Sequence, residues 1–157
     1  MAVQFIDNSI VVKTALNDQT KAWLIEWANE VASQAARNCA LDGDAGTQLR
    51  GSYRADVNGA GSKAEIGTSL EAGYWEELGT GAYAENGNGR PGWWVYKDGY
   101  QGNGGKQRTE AQAKAIAASD PTLHATNGRR PNHTLEKSFI TTKPKALADL
   151  ERRLKGL

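Results

Sequence analysis

Nine of the chain's eighteen glycines lie between Gly79 and Gly105, and this cluster sets the strongest limit on the fold. Glycine loses more backbone freedom on folding than any other residue, so ordering such a stretch is costly. A Gly-rich arm over about 82–105 is therefore expected to stay partly mobile until it meets a partner. Just before the cluster, Glu71-Ala72-Gly73-Tyr74-Trp75-Glu76-Glu77-Leu78 is a short amphipathic segment, a helix that Gly79 should end. Within the arm, Trp93 to Tyr96 is bulky enough for a strand.

The flanks are more regular. Asn8-Ser9 offers an N-cap for a helix reaching about Cys39, with Leu24, Ala28, Val31, Ala35 and Cys39 as its apolar stripe. Val12, Leu16, Trp23 and Trp27 widen that stripe, while Asn17-Asp18 could interrupt the helix or cap a second one. Alanines 28, 32, 35 and 36 would let a sheet or helix approach closely. Asp42 to Gly46 has the composition of a turn. Leu49 to Val57 alternates with period two, hence a strand; Asn58 to Ser62 is a hairpin loop and Ala64 to Thr68 the returning strand.

Further on, Thr109-Glu110-Ala111-Gln112 fits a capping box opening an alanine-rich helix, Glu110 to Ala118, which Asp120-Pro121 stops. Leu123 to Thr126 is a fourth strand, expected to pair with Trp93–Tyr96. Leu135, Phe139, Leu147, Leu150 and Leu154 suggest a C-terminal helical region that Pro144 divides, as first residue of the second piece. The order predicts an α+β domain over 1–157. Long N-terminal and C-terminal helices would pack on a mainly antiparallel sheet of about four strands.

At 157 residues one domain with a real core is expected. No apolar run approaches the roughly 18–20 residues of a membrane span, so no membrane partner is expected. The N-terminus lacks the basic start and apolar stretch of a signal peptide, which implies synthesis in the cytoplasm. A single cysteine, Cys39, excludes an internal disulfide and a cysteine-based metal site. The net charge of +1 hides a split: residues 1–87 hold six Lys/Arg against twelve Asp/Glu, residues 88–157 thirteen against six. If folding keeps the halves apart, they suit nucleic acid or head-to-tail self-association; if not, they mix into an ordinary surface.

Catalytic patterns are hard to find. Glu71, Glu76 and Glu77 could be paired acid/base carboxylates beside a Trp93–Trp94 sugar platform. Residues 76 and 77, however, point about 100° apart on a helix. By the same geometry Glu77 shares a face with Gly73, and Glu76 is expected to face solvent or a neighbour. His124 and His133 have no triad-like Asp spacing, and no nucleophile elbow exists. Gly79-Thr80-Gly81 and Gly87-Asn88-Gly89 lack the Lys-Ser/Thr of a phosphate loop. Asp42 and Asp44 lack the remaining ligands of a calcium loop. No catalytic residue, metal or cofactor is expected. Arg90, Trp93, Trp94, Tyr96, Lys97 and Tyr100 interleave charge and rings as a single-strand binder would, and Arg129-Arg130 adds charge. No known nucleic-acid signature accompanies them.

Three blocks, in order, resemble the tail-completion proteins of long-tailed bacteriophages, the head–tail joining or neck family also described as minor capsid proteins. The first is Asp44-Ala45-Gly46 with Leu49-Arg50-Gly51-Ser52. Next come Gly67-Thr68 and then Glu71, Trp75, Glu77 and Gly79-Thr80-Gly81. The last is Gly89-Arg90 with Trp93 and Tyr96, followed by Thr126-Asn127-Gly128-Arg129-Arg130-Pro131-Asn132. The chain departs from the pattern by one extra residue between Gly46 and Leu49. It also has His133-Thr134-Leu135 where the family favours Pro-Phe-Leu, and an apparent insertion from Tyr100 to Leu123, whose Ala-rich helix covers about 109–119.

The resemblance implies a non-enzymatic α+β virion subunit, made in the bacterial host cytoplasm, that builds a ring with copies of itself, a hexamer by expectation. Its partners would be the head-completion (stopper) protein and the tail terminator or tail tube, with DNA only passing through the channel. A tail terminator ring and a nucleic-acid-binding module are the alternatives.

Overall fold

Thirty residues without glycine or proline, Ser9–Asn38, form one continuous helix, α1, in the computed structural model, which describes residues 9–98 and 105–156. Asn17 and Asp18 do not interrupt it; both are exposed, where polar side chains cost the helix little. The remaining elements are α2 (Gly43–Ser52), β1 (Arg54–Val57), β2 (Ala64–Gly67), α3 (Glu71–Leu78), β3 (Trp94–Lys97), α4 (Glu110–Ala117), β4 (Leu123–Thr126) and α5 (Thr134–Lys155). The class is α+β, with the expected long helices near both ends. The four strands form two separate antiparallel pairs, β1–β2 and β3–β4, instead of one sheet. The chain divides into two compact units, Met1–Leu70 with Thr134–Leu157, and Glu71–His133. Each unit holds one strand pair.

In the first unit, α1 packs against α5 and against both strands of the β1–β2 hairpin. Its buried face is Trp23, Ala28, Val31, Ala32 and Ala35. On α5 the buried residues are Thr134, Ser138, Thr142 and Ala146, spaced by four. Small side chains on both helices permit close approach, and α5's hydroxyls are bonded where they are buried. Thr142 Oγ1 donates to the Ser138 carbonyl at 2.9 Å and accepts from Trp27 Nε1 at 3.0 Å. Trp23 Nε1 donates to the Ala146 carbonyl at 2.7 Å. The rings of Trp23, Trp27 and Phe139 follow one another at 5.1 Å. Arg153 ties the helices by bonding Glu26 at 2.5 Å and Asp149 at 2.7 Å.

Pro144 does not divide α5; the helix runs through it. A mid-helix proline removes one backbone bond and crowds the preceding turn. Pro144 lies on the exposed side, and the packing of Ser138, Thr142 and Ala146 against α1 carries the helix past it.

The predicted Asp42–Gly46 turn and the first half of the predicted Leu49–Val57 strand are together the helix α2. Gly46 and Leu49, three apart, are its buried residues, so the period-two pattern over Leu49–Ser52 was coincidental. Alternation holds only where β1 runs, with Ala55 and Val57 half-buried and Arg54 and Asp56 exposed. Asp44 sits in the first turn of α2, where its charge complements the helix dipole. β1 pairs with β2 from Arg54↔Gly67 to Val57↔Ala64. The connecting loop closes on Asn58 Oδ1, which accepts from the Ser62 and Lys63 amides at 2.9 and 3.1 Å.

In the second unit, β3 and β4 pair as expected, in the register Trp94↔Thr126 to Lys97↔Leu123. Trp93 forms a bridge with Arg108. The capping box of α4 is present: Thr109 Oγ1 accepts from the Gln112 amide at 3.3 Å, and Gln112 Oε1 from the Thr109 amide at 3.1 Å. Ala113 is fully buried where α4 packs on β4.

Candidate functional site

The first resemblance block serves the first unit's architecture. A Cβ on Gly46 would stand 1.9 Å from the Leu41 carbonyl oxygen, so no larger residue fits there. Leu49 is fully buried. Arg50 donates to the Leu41 carbonyl at 2.7 Å, closing the link between α1 and α2. Ser52 Oγ lies 2.5 Å from Thr68 Oγ1, which also accepts from the Leu70 amide at 3.0 Å. Ser52, Gly67 and Thr68 thus meet at the base of the hairpin.

The remaining blocks converge within the second unit, although about fifty residues separate them. Thr80 N donates to the Arg129 carbonyl at 2.9 Å, Ala82 N to the Asn127 carbonyl at 2.8 Å, and Arg129 N to Thr80 Oγ1 at 3.0 Å. Gly79-Thr80-Gly81 therefore runs along Asn127-Gly128-Arg129 as a backbone seam. Glycine is required on both sides of it. Gly81 has φ +61°, and a Cβ there would meet the Asn127 carbonyl oxygen at 2.2 Å and Trp94 at 2.6 Å. Gly128 has φ +125°, with the Thr80 carbonyl oxygen at 2.1 Å from such a Cβ. A Cβ on Gly79 would press on Pro131.

The described part of the Gly-rich arm makes specific backbone contacts. Gly81–Tyr83 is a short 3-10 turn, Glu85 N donates to the Leu78 carbonyl at 3.0 Å, and Gly89 abuts the Gly81 carbonyl. Here glycines act by allowing backbone to touch backbone, which offsets their entropic cost. Residues 99–104 of the arm lie outside the described residues.

Beneath the seam sits the side chain that the sequence places wrongly. Glu76 does not face solvent: it is 1% exposed. Asn132 Nδ2 donates to its Oε1 at 2.9 Å, Arg129 pairs with its Oε2 at 3.1 Å, and the Asn132 amide donates to the Glu76 carbonyl at 2.8 Å. Gly73, one turn earlier, is the other buried residue of α3. Glu77 is half-buried, and its carbonyl accepts from the His133 amide at 3.4 Å. The Gly73–Glu76–Gly79 spacing was the available signal; the partners Arg129 and Asn132 lie too far along the chain to be inferred.

Above the seam is an open groove of about 690 Å³. Tyr74, Trp75, Trp94 and Tyr96 give it aromatic walls, and Asn86, Asn88, Arg90 and Arg129 line it as well. Tyr74 is 50% exposed, and Trp75 and Tyr96 are each 39%. Glu71 is exposed at the start of α3, on the face that carries Tyr74 and Trp75. The cations of the groove are engaged: Arg90 lies 5.1 Å over Trp94, and Arg129 holds Glu76. Trp93 sits outside the groove walls, with Lys114 5.3 Å over its ring.

Both histidines have carboxylate partners that the sequence does not reveal. His124 Nε2 lies 2.6 Å from Asp98 with its ring against Tyr96, and His133 Nε2 lies 3.2 Å from Glu85. The first pair joins β3's end to β4 and is exposed. Among the described residues no three His, Cys, Asp or Glu converge as a metal would need, and no helix is long and apolar enough to cross a membrane.

No family model, curated protein or solved structure matches the chain.

Proposed function

We propose that the chain is a structural subunit of a bacteriophage neck. It forms a ring, with six copies expected, that joins the DNA-filled head, through the stopper, to the tail terminator or tube. The observation that carries this reading is the seam. The residues on which the resemblance to tail-completion proteins rests, Gly79-Thr80-Gly81 and Gly128 to Asn132, are spent on one rigid backbone joint. That joint presents exposed aromatics, Tyr74, Trp75 and Tyr96, instead of a reactive constellation. Tyrosine and tryptophan are the residues that protein interfaces concentrate at their centres.

The nucleic-acid alternative has less behind it. The unit that carries the groove holds seven Lys/Arg and seven Asp/Glu, so it offers no basic field to a phosphate backbone. DNA meets this protein only in passing through the ring, and no membrane or cofactor takes part.

Deleting the gene from its phage tests the reading by electron microscopy. Tail completion predicts filled heads and finished tails that fail to join. Abnormally long tails would assign the chain to the terminator, and normal virions would overturn a neck role.

A further inference from the structure

The described chain leaves a second large feature without a partner: the outer side of α5. Ile140, Leu147 and Leu154 recur at seven-residue spacing and are 60%, 46% and 39% exposed. Helical geometry puts them on the side away from Ser138, Thr142 and Ala146, the stripe buried against α1. They form a convex apolar ridge about 20 Å long at 1.5 Å per residue. An exposed aliphatic row at heptad spacing is the pattern by which a helix offers itself to a partner.

Ridge and groove are complementary. One is convex and aliphatic, the other concave and walled by Tyr74, Trp75, Trp94 and Tyr96. Lys143 stands on the ridge between Ile140 and Leu147, its ammonium near the Phe139 ring, and Glu71 stands beside the groove on the Tyr74–Trp75 face of α3. Neither Lys143 nor Glu71 is ion-paired among the described residues. We infer that the α5 ridge of one copy docks in the aromatic groove of a second copy, with Lys143 toward Glu71. This inference rests on the ring reading and names the contact that builds the ring.

Two different surfaces meet in this contact, so it is heterologous and repeats from copy to copy until the ring closes. One helix face laid in a groove buries less than the roughly 1,200 Å² of a stable standard interface. Closure compensates, because every subunit of a ring makes the contact twice.

The test uses the full chain, followed by sedimentation velocity and negative-stain microscopy at high protein concentration. Leu147→Asp spoils the ridge; Trp75→Ala, with Tyr74→Ser as a second variant, spoils the groove. All alter exposed side chains, and circular dichroism checks that each folds. Each variant alone should remain monomeric. An equimolar mixture of Leu147→Asp and Trp75→Ala should give a heterodimer and nothing larger, since one good ridge and one good groove remain between them. Lys143→Glu and Glu71→Lys should each weaken assembly roughly fivefold, and the double reversal in one chain should restore it. A wild-type ring whose variants also form rings, or whose mixed variants stay monomeric, overturns the docking while leaving the ring reading in place. A wild-type chain that stays monomeric overturns both. If Trp75→Ala keeps the ring but loses binding to a single-stranded oligonucleotide, the groove belongs to nucleic acid and the docking is overturned.

Discussion

Glu76 is a buried carboxylate that has left water for Arg129 and Asn132. Arg129 is partly exposed and can rehydrate, so removing Glu76 mainly leaves the Asn132 amide without its acceptor, at a cost of about 1–3 kcal/mol. Glu76→Ala should lower unfolding stability by that order in urea titration, and Glu76→Gln by less, since an amide oxygen can still accept from Asn132. Equal stability of wild type and Glu76→Ala would show that the pair does not hold the seam. A milder electrostatic contribution comes from Asp120. The Thr122 amide at 2.9 Å and the Thr122 hydroxyl at 2.8 Å both donate to its Oδ1, and these bonds hold the carboxyl below its usual 3.8. A depressed folded value stabilises at pH above the unfolded value and is lost as pH falls through the folded one. The melting temperature should therefore decline below about pH 4. Asp120→Asn should flatten that decline; an unchanged acid limb would refute the assignment.

Among the elements, α5 carries a defect that packing tolerates. An interior proline costs a helix about 3 kcal/mol relative to alanine. Pro144→Ala restores a donor for the Ile140 carbonyl and should raise stability by about 1–3 kcal/mol, read as a higher urea midpoint. A lower midpoint would mean that the proline shapes the helix usefully. α2 and α3 show how far local pattern reaches. The end of α3 at Gly79 and the capping box of α4 were legible because local backbone chemistry decides both. The β3–β4 pairing was legible from two bulky runs alone. α2 was misread because Leu49, Gly51, Tyr53, Ala55 and Val57 alternate, and only burial against α1's end reveals that Gly46 and Leu49 share a helical face. The Gly81–Gly128 contact was not legible for a related reason: glycine content measures entropic cost but says nothing of the backbone approach that offsets it.

At the scale of the whole molecule, the charge split along the sequence disappears. α5 and its basic residues join the acidic N-terminal part in one unit, which holds twelve Lys/Arg and eleven Asp/Glu, while the other holds seven of each. Self-association through an acidic half and a basic half loses its basis, and the apolar ridge and aromatic groove replace it. Ring formation should then change little between low and high salt, because a Debye length of about 10 Å at 0.1 M screens only the few exposed pairs. Sedimentation across that range checks it, and dissociation at high salt would return the contact to charge pairing. The sequence by itself determined the α+β class, the long helices near both ends, the end of α3, the capping box of α4 and the β3–β4 runs, since each follows from neighbours a few residues apart. Only the tertiary structure decided that Glu76 is buried, that Gly79-Thr80-Gly81 lies along Asn127-Gly128-Arg129, and that the strands form two pairs. Those outcomes depend on groups some fifty residues distant, whose burial and backbone contacts no local period encodes.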